Sequence, residues 1–240
     1  MRIQKLIAER GVASRRAAEQ MVADGRVTVN GEPAGIGQAV DAENDIIAID
    51  GKSIPQAPEL IYIMLHKPRN VMTTLHDDRE RPTIKDYIDD VKERIVPVGR
   101  LDYDSEGLLL MTNDGDMVHG LTHPSHEIHK TYRVRVKGDV TNGVKRLNRP
   151  IKLDGKQLPP PDDLEVVEHY DASEGNYGTI LITIHTGANR QIRRMCEMAG
   201  LRVQRLRRIR VGPLTLGDLK PGKWRALTND EVAELKRKLN

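Results

Sequence analysis

Apolar residues recur at helical spacing twice near the start of the chain, at Ile3, Leu6 and Ile7 and again at Ala17, Ala18, Met21 and Val22. Gly11 closes the first pattern. Ser14 is placed to cap the second, and Gly25 ends it. The period then changes. Arg26–Val29 alternates, Asn30-Gly31 is a strong turn signal, and Ile46–Ile49 offers a further short strand. KSIPQAPEL (52–60) carries Pro55 and Pro58 and reads as a linker. A small module over residues 1–52 is therefore expected ahead of a larger one over 60–240.

In the larger module, β-like runs fall at Ile61–Leu65, Leu108–Met111, Tyr132–Val136, Thr179–His185 and Ile209–Leu216. Helical spacing is rarer, over Thr83–Arg94, Asn189–Ala199 and Asn229–Leu239. Strands that lack an intervening helix argue against a doubly wound parallel sheet. The expected class is α+β: a small αβ module, then a mixed, largely antiparallel sheet with peripheral helices. DGKQLPPPDD (154–163) reads as a loop, because its prolines cannot sit in a central strand. With no Phe, the core must be aliphatic and Met-based.

Composition narrows the setting. The longest apolar run, Leu60–Leu65, is far short of the roughly 18 residues a membrane span needs. Lys5, Glu9 and Arg10 interrupt the place where a signal peptide is apolar. One cysteine, Cys196, cannot form an intrachain disulfide, and paired-cysteine zinc is excluded. A cytoplasmic protein without membrane attachment is expected. Cys196 lies at helical spacing with Ile192 and Ala199, which predicts a buried thiol.

Net charge is only +3, but its distribution is uneven. Residues 188–212 hold eight arginines and no lysine against one acid. Residues 1–30 hold six basic residues, Arg2, Lys5, Arg10, Arg15, Arg16 and Arg26, against three acids. Solvated helix faces would explain one such zone. Two zones, one built only of guanidinium forks that match phosphate oxygens, point to a polyanion.

The densest candidate chemistry is VPVGRLDYDSEGLLLMTNDGD (96–116), where Asp102, Asp104 and Glu106 alternate ahead of an apolar run. Four readings compete. A calcium loop would need a bidentate Glu where Asn113 stands. A two-metal nuclease would need further acids from elsewhere. A single carboxylate could act as nucleophile at the mouth of a sheet. A turn with solvated acids is the plain alternative. The histidines at 119, 123, 126 and 129 invite a metal reading, but Pro124 breaks any shared helix face, and no metal is expected there.

G-R-L-D-x-x-S-x-G-L-L-L resembles the catalytic motif of RNA pseudouridine synthases. The likeness extends along nearly the whole chain. Residues 1–50 resemble an S4 RNA-binding domain, HKPRN (66–70) the family's K-P-x-G segment, HKTYRV (129–134) its K-x-Y segment, NRQIRRM (189–195) its third motif, and PGKWRALT (221–228) its closing stretch. The pattern is similar to the branch with an N-terminal S4 domain that acts on ribosomal RNA, and most like its large-subunit group. Two residues depart from it. Asn70 replaces the usual Gly, which predicts a different turn. Ala188 replaces a frequent Arg or Lys, which predicts one fewer phosphate contact.

The resemblance implies a reaction and roles. The N1–C1′ bond of a uridine breaks, the base turns, and C5 takes over the bond, so no cofactor is implied. The target base must first leave its stack, at a cost of a few kcal/mol. Asp102 is implied as nucleophile, Arg193 as the partner that keeps it ionised, and Tyr132 as a stacking surface or proton acceptor. Asp104 and Glu106 are expected only to shape the loop. Arg2, Lys5, Arg15, Arg16, Arg26, Lys67, Arg100, Lys130, Asn189, Arg190 and Arg194 are expected to contact RNA. The expected partner is ribosomal RNA, of the large subunit, or an assembling particle, met by a monomer. The same reaction on small-subunit RNA, or a non-catalytic S4-type assembly factor, are the alternatives.

Overall fold

A computed structural model describes residues 1–170 and 176–239. The chain forms two units: residues 1–61 with 91–95 and 113–115, and residues 62–90, 96–112 and 116–240.

In the first unit, α1 (Ile3–Glu9) and α2 (Arg15–Ala23) precede four short antiparallel strands, β1 (Val27–Val29), β2 (Glu32–Pro33), β3 (Ile47–Ile49) and β4 (Lys52–Ser53), in the order β2-β1-β3-β4. Ser14 caps α2, its Oγ accepting from the Ala17 amide at 3.1 Å. Ile3, Leu6, Ile7, Ala18, Val22, Val27 and Ile47 close into one apolar cluster. Both turn residues, Asn30 and Gly31, have positive φ, as a two-residue hairpin requires.

The second unit is built on one nine-stranded sheet. Its elements are β5 (Tyr62–Lys67), β6 (Val96–Pro97), β7 (Glu106–Thr112), α3 (Gly115–Thr122), β8 (Lys130–Lys137), α4 (Val140–Leu147), β9 (Ile151–Leu153), β10 (Lys156–Leu158), β11 (Asp163–Tyr170), β12 (Tyr177–Ile184), α5 (Gln191–Met198), β13 (Arg202–Val211), β14 (Leu214–Thr215), β15 (Trp224–Ala226) and α6 (Asn229–Arg237). The sheet runs β11-β12-β8-β13-β7-β5-β15, with β6 on β7 and β14 on β13. Among the described residues, every strand pairing in this sheet is antiparallel except β13 with β7. Two apolar clusters flank that parallel joint. Val134, Val136, Ile180, Ile182, Ile192, Met195 and Cys196 belong to one, and Met64, Leu108, Leu110, Met117, Leu121 and Leu235 to the other. β13 contributes Leu206 to the first and Val211 to the second. At the joint, a Cβ on Gly107 would lie 2.2 Å from the Arg208 carbonyl oxygen, and Gly107 has φ +113°. Only glycine fits there.

The expected α+β class holds, with three local corrections. Thr83–Arg94 does not form a helix. It gives one 3-10 turn, Ile84–Tyr87, closed by Thr83 and Asp86, and residues 91–95 pack with the first unit. The segment 154–163 is not all loop. Asp154 and Gly155 make a hairpin turn between β9 and β10, and the prolines follow it. α3, α4, β6, β9, β15, most of β11 and the first seven residues of β13 lie where no element was expected, and the run expected as one strand over Ile209–Leu216 divides into the end of β13 and β14. Cys196 is buried, and burial raises its thiol pKa to about 12. Among the described residues, no helix is long and apolar enough to cross a membrane.

Candidate active site

Asp102 sits on the loop between β6 and β7, and that loop is held at its backbone. Lys67, the last residue of β5, is fully buried. Its Nζ donates to the carbonyls of Pro68 (3.0 Å), Asp102 (3.1 Å) and Ser105 (2.8 Å). Burial pushes the ammonium pKa down to about 8, against the pull of Asp102 and Asp104. Thr73 Oγ1 donates to the Leu101 carbonyl at 2.6 Å and accepts from the Leu101 amide at 3.2 Å. The Asn70 amide donates to the Tyr103 carbonyl at 2.7 Å. Asn70 has φ 59°, so it takes a left-handed turn that Gly would also supply. Asn is one of the few non-glycine residues that visits this region routinely.

The second side of the loop meets α5. Arg190, the N-cap, and Arg193, one turn on, share a helix face. Arg190 forks onto Asp104 at 3.1 and 3.2 Å. Arg193 Nη2 donates to the Asp104 carbonyl (3.0 Å) and Ser105 Oγ (3.2 Å), and lies 3.3 Å from Asp104 Oδ2. The expected Arg193–Asp102 pair is thus replaced. The cation within 4.0 Å of Asp102 is Arg190, with Nη1 at 3.8 Å from Oδ2. Sequence spacing placed the arginines at the loop but could not say which acid each would face. Asp104, expected to be a bystander, is the anchor for both.

Glu106 turns elsewhere. It is buried, with Arg205 Nε at 2.6 Å and Arg207 Nε at 2.7 Å. Burial alone would raise its pKa. The two guanidinium groups outweigh that and hold it below the ordinary 4.5. The folded chain therefore binds fewer protons here than the unfolded chain. The resulting stability is complete above pH 4.5 and is lost as pH falls through the lower folded value. Glu106→Gln is expected to flatten that acid limb in a series of Tm measurements against pH. It should also cost roughly 1–3 kcal/mol near neutrality, by leaving charged donors short of an acceptor.

Asp102, Tyr132, Lys130, Arg100, Asn189 and Arg208 line one cavity of about 500 Å³, closed by the Thr186–Ile192 stretch. Gln191 is buried and braces that stretch. Its Oε1 accepts from the Ala188 amide (2.9 Å), and its Nε2 donates to Thr186 Oγ1 (2.7 Å). Tyr132 is half-buried and packs on the apolar cluster beneath β8. Lys130 Nζ donates to the Ile128 carbonyl at 2.9 Å, and burial, helped by Arg208, lowers its pKa to about 8.

The residues expected to contact RNA divide. Arg15 and Arg16 are exposed on α2, and Arg100 and Asn189 are exposed at the cavity. Lys67 is not available to a phosphate, because its hydrogens are spent inside the fold. Arg2 donates to the Gly37 carbonyl, Lys5 pairs with Glu9 at 3.4 Å, Arg26 with Asp50 at 2.6 Å, and Arg194 with Asp154 at 2.7 Å. The arginine zone is also less uniform than its sequence implied. Arg208 is buried on the cavity wall, its Nε donating to the Leu108 carbonyl at 2.7 Å. Thr73, Ser105, Gln191 and Arg208 also belong to the site, although no role is expected for them from sequence. A lysine at the end of an apolar strand was the one available signal for the role of Lys67.

Comparison with known proteins agrees with this architecture. The model of the RNA pseudouridylate synthase family matches residues 61–198, and that of the S4 domain residues 1–47. An uncharacterized RNA pseudouridine synthase of Aquifex aeolicus is 41% identical over 98% of this chain and 93% of its own length. The ribosomal large subunit pseudouridine synthase B of Bacillus subtilis is 40% identical over 98% of this chain and 95% of its own. A crystal structure of a pseudouridylate synthase superposes with a TM-score of 0.68 at 30% identity, covering 98% of this chain and 99% of that one. This chain therefore belongs to the RNA pseudouridylate synthase family, isomerases that convert uridine in RNA to pseudouridine, and carries an S4 domain at its N-terminal end.

Proposed function

We propose that this isomerase acts on a uridine of large-subunit ribosomal RNA, with Asp102 as its nucleophile. The observation that carries the assignment is the contrast between three neighbouring acids. Asp104 and Glu106 are each engaged by two arginines at 3.3 Å or less. Among the described residues, the cation within 4.0 Å of Asp102 is Arg190 alone, at a looser 3.8 Å, and Asp102 fronts the cavity that Tyr132 also lines. A carboxylate left this free can attack. Attack of the Asp102 carboxylate on C1′ forms an ester bond as the N1–C1′ bond breaks. The detached uracil turns, C5 bonds to C1′ as the ester bond breaks and restores the carboxylate, the C5 proton leaves, and N1 takes up a proton. Tyr132 supplies a face on which the uracil stacks as it turns. Arg193 acts as a positioning residue through the backbone of Asp104 and Ser105.

Arg15 and Arg16 on the S4 unit, with Arg100, Lys130 and Asn189 at the cavity, are assigned to the RNA backbone. Each phosphate contact contributes a salt-dependence slope of roughly −0.7 on single-stranded RNA. Lys130 is charged below about pH 8 and loses its proton above it. RNA affinity is expected to fall by about five-fold as pH rises through that value, the size of one partly buried ion pair. Lys130→Arg should remove the step, read by fluorescence anisotropy.

The substrate assignment rests on the large-subunit names of relatives 36–40% identical to this chain. On this reading the enzyme works in the cytoplasm, as a monomer. The test is to incubate it with transcribed large- and small-subunit ribosomal RNA and map pseudouridine in both. Conversion of one large-subunit site is expected. Conversion only in small-subunit RNA would replace the substrate, and none in either would favour a non-catalytic S4-type factor.

A further inference from the structure

His129, Asp162 and His185 come from three separate stretches of sequence and meet at one end of the sheet. His129 directly precedes β8 and His185 directly follows β12, and these strands pair Lys130 with Ile184. The two imidazoles are therefore neighbours, with ring centroids 5.9 Å apart. Asp162 directly precedes β11, and its amide donates to the Thr183 carbonyl at 2.9 Å, which brings its carboxylate between them. His185 Nδ1 lies 2.8 Å from Asp162 Oδ1, and His129 Nε2 lies 3.7 Å from Asp162 Oδ2. All three donor atoms fall within 4.8 Å of one another.

We propose that this cluster is a binding site for a first-row divalent cation, with zinc as the best-matched ion. Donor atoms at about 2.0–2.1 Å from zinc stand roughly 3.3 Å apart, and the two measured separations bracket that value. Two neutral imidazoles and one carboxylate are a donor set that suits zinc and its neighbours in the row. One imidazole would suffice for a hydrogen-bonded Asp–His pair. The second, turned onto the same carboxylate, is what a cation requires. The side chains of Asp162 and His185 are about a quarter exposed and that of His129 is 58% exposed, so an ion can enter and keep water in its remaining positions. The histidine run suggested by sequence splits accordingly. His119 and His123 stack at 5.0 Å, and His123 Nδ1 is engaged with Ser125 Oγ at 2.7 Å, while His129 leaves the run to join Asp162 and His185. The bound ion would pin three strand ends beside Lys130 and the Thr186–Asn189 stretch. It stands apart from the chemistry assigned to Asp102.

The test is calorimetric titration of the chelator-treated full chain with zinc. One equivalent is expected to bind. His129→Ala and Asp162→Asn should each weaken binding by at least about 10–100-fold, while His123→Ala binds as wild type. Zinc at about 100 times its Kd should raise the Tm by roughly 5–10 °C, and this rise should vanish in His129→Ala. His129 is exposed, so its variant tests the site even if Asp162→Asn misfolds. No binding tighter than about 1 mM would overturn the proposal. So would equal weakening in His123→Ala, or wild-type binding in His129→Ala, which would leave only a hydrogen-bonded Asp–His pair.

Discussion

Asp102→Asn protein is expected to fold, bind RNA with near-normal affinity, and release no tritium from C5-labelled uridine. The amide matches the carboxylate in size, and the loop is held through backbone carbonyls that the substitution does not touch. The amide is a far poorer nucleophile, so the rate should fall by at least about 10⁴-fold. Asp104→Asn gives a different result. It releases the fork of Arg190 and the side-chain contact of Arg193, so the loop is displaced and the rate falls by up to about 10²-fold. Glu106→Gln changes stability more than rate. If Asp102→Asn still releases tritium at a near wild-type rate, the nucleophile is another group.

Lys67→Met is expected to lower the Tm by about 10 °C or more. Pro68, Asp102 and Ser105 would each lose a charged donor in a place water reaches poorly. Stranding buried acceptors in this way costs roughly 3–5 kcal/mol in total. Lys67→Arg cannot rescue it, because a fully buried site has no room for the larger head. An exposed phosphate-binding lysine would behave in the opposite way, with stability within about 0.5 kcal/mol of wild type and weaker RNA binding. Thermal melting and anisotropy on the same variant separate the two roles.

The elements legible in the sequence are those with a continuous apolar run, as in β5 and β7, or with one buried face and one solvated face. β8 shows this, with Val134 and Val136 inward and Arg133 and Arg135 outward. α5 shows it too, through Ile192, Met195 and Cys196. α3 and α4 escaped because each carries a glycine that propensity counts against a helix. The space at Gly120 is taken by Leu239 and that at Gly143 by Leu201, contacts between residues far apart in the chain. Thr83–Arg94 has good helical spacing, yet Ile88 has φ −134° and residues 91–95 serve the other unit. Within the site, the chain positions of Asp102, Tyr132 and Arg190 were readable as motif. The partner of each charge was not, because Arg190, Arg193, Arg205 and Arg207 meet the loop acids across 86 to 101 residues.

The parallel joint between β7 and β13 also sets an order of events in time. Glu106 pairs with Arg207 across 101 residues, whereas β11 and β12 form a near-local hairpin. Contacts of such long sequence separation close slowly. The Asp102 loop leaves the ribosome long before α5 and β13 exist to receive it. Until Gly107 docks against Arg208, the acids of the Asp102 loop lack their guanidinium partners and the cavity lacks a wall. A partly folded chain can therefore hold RNA on its S4 unit while being chemically silent. During refolding, RNA binding should appear before isomerase activity, so that no uridine is attacked by a half-made enzyme.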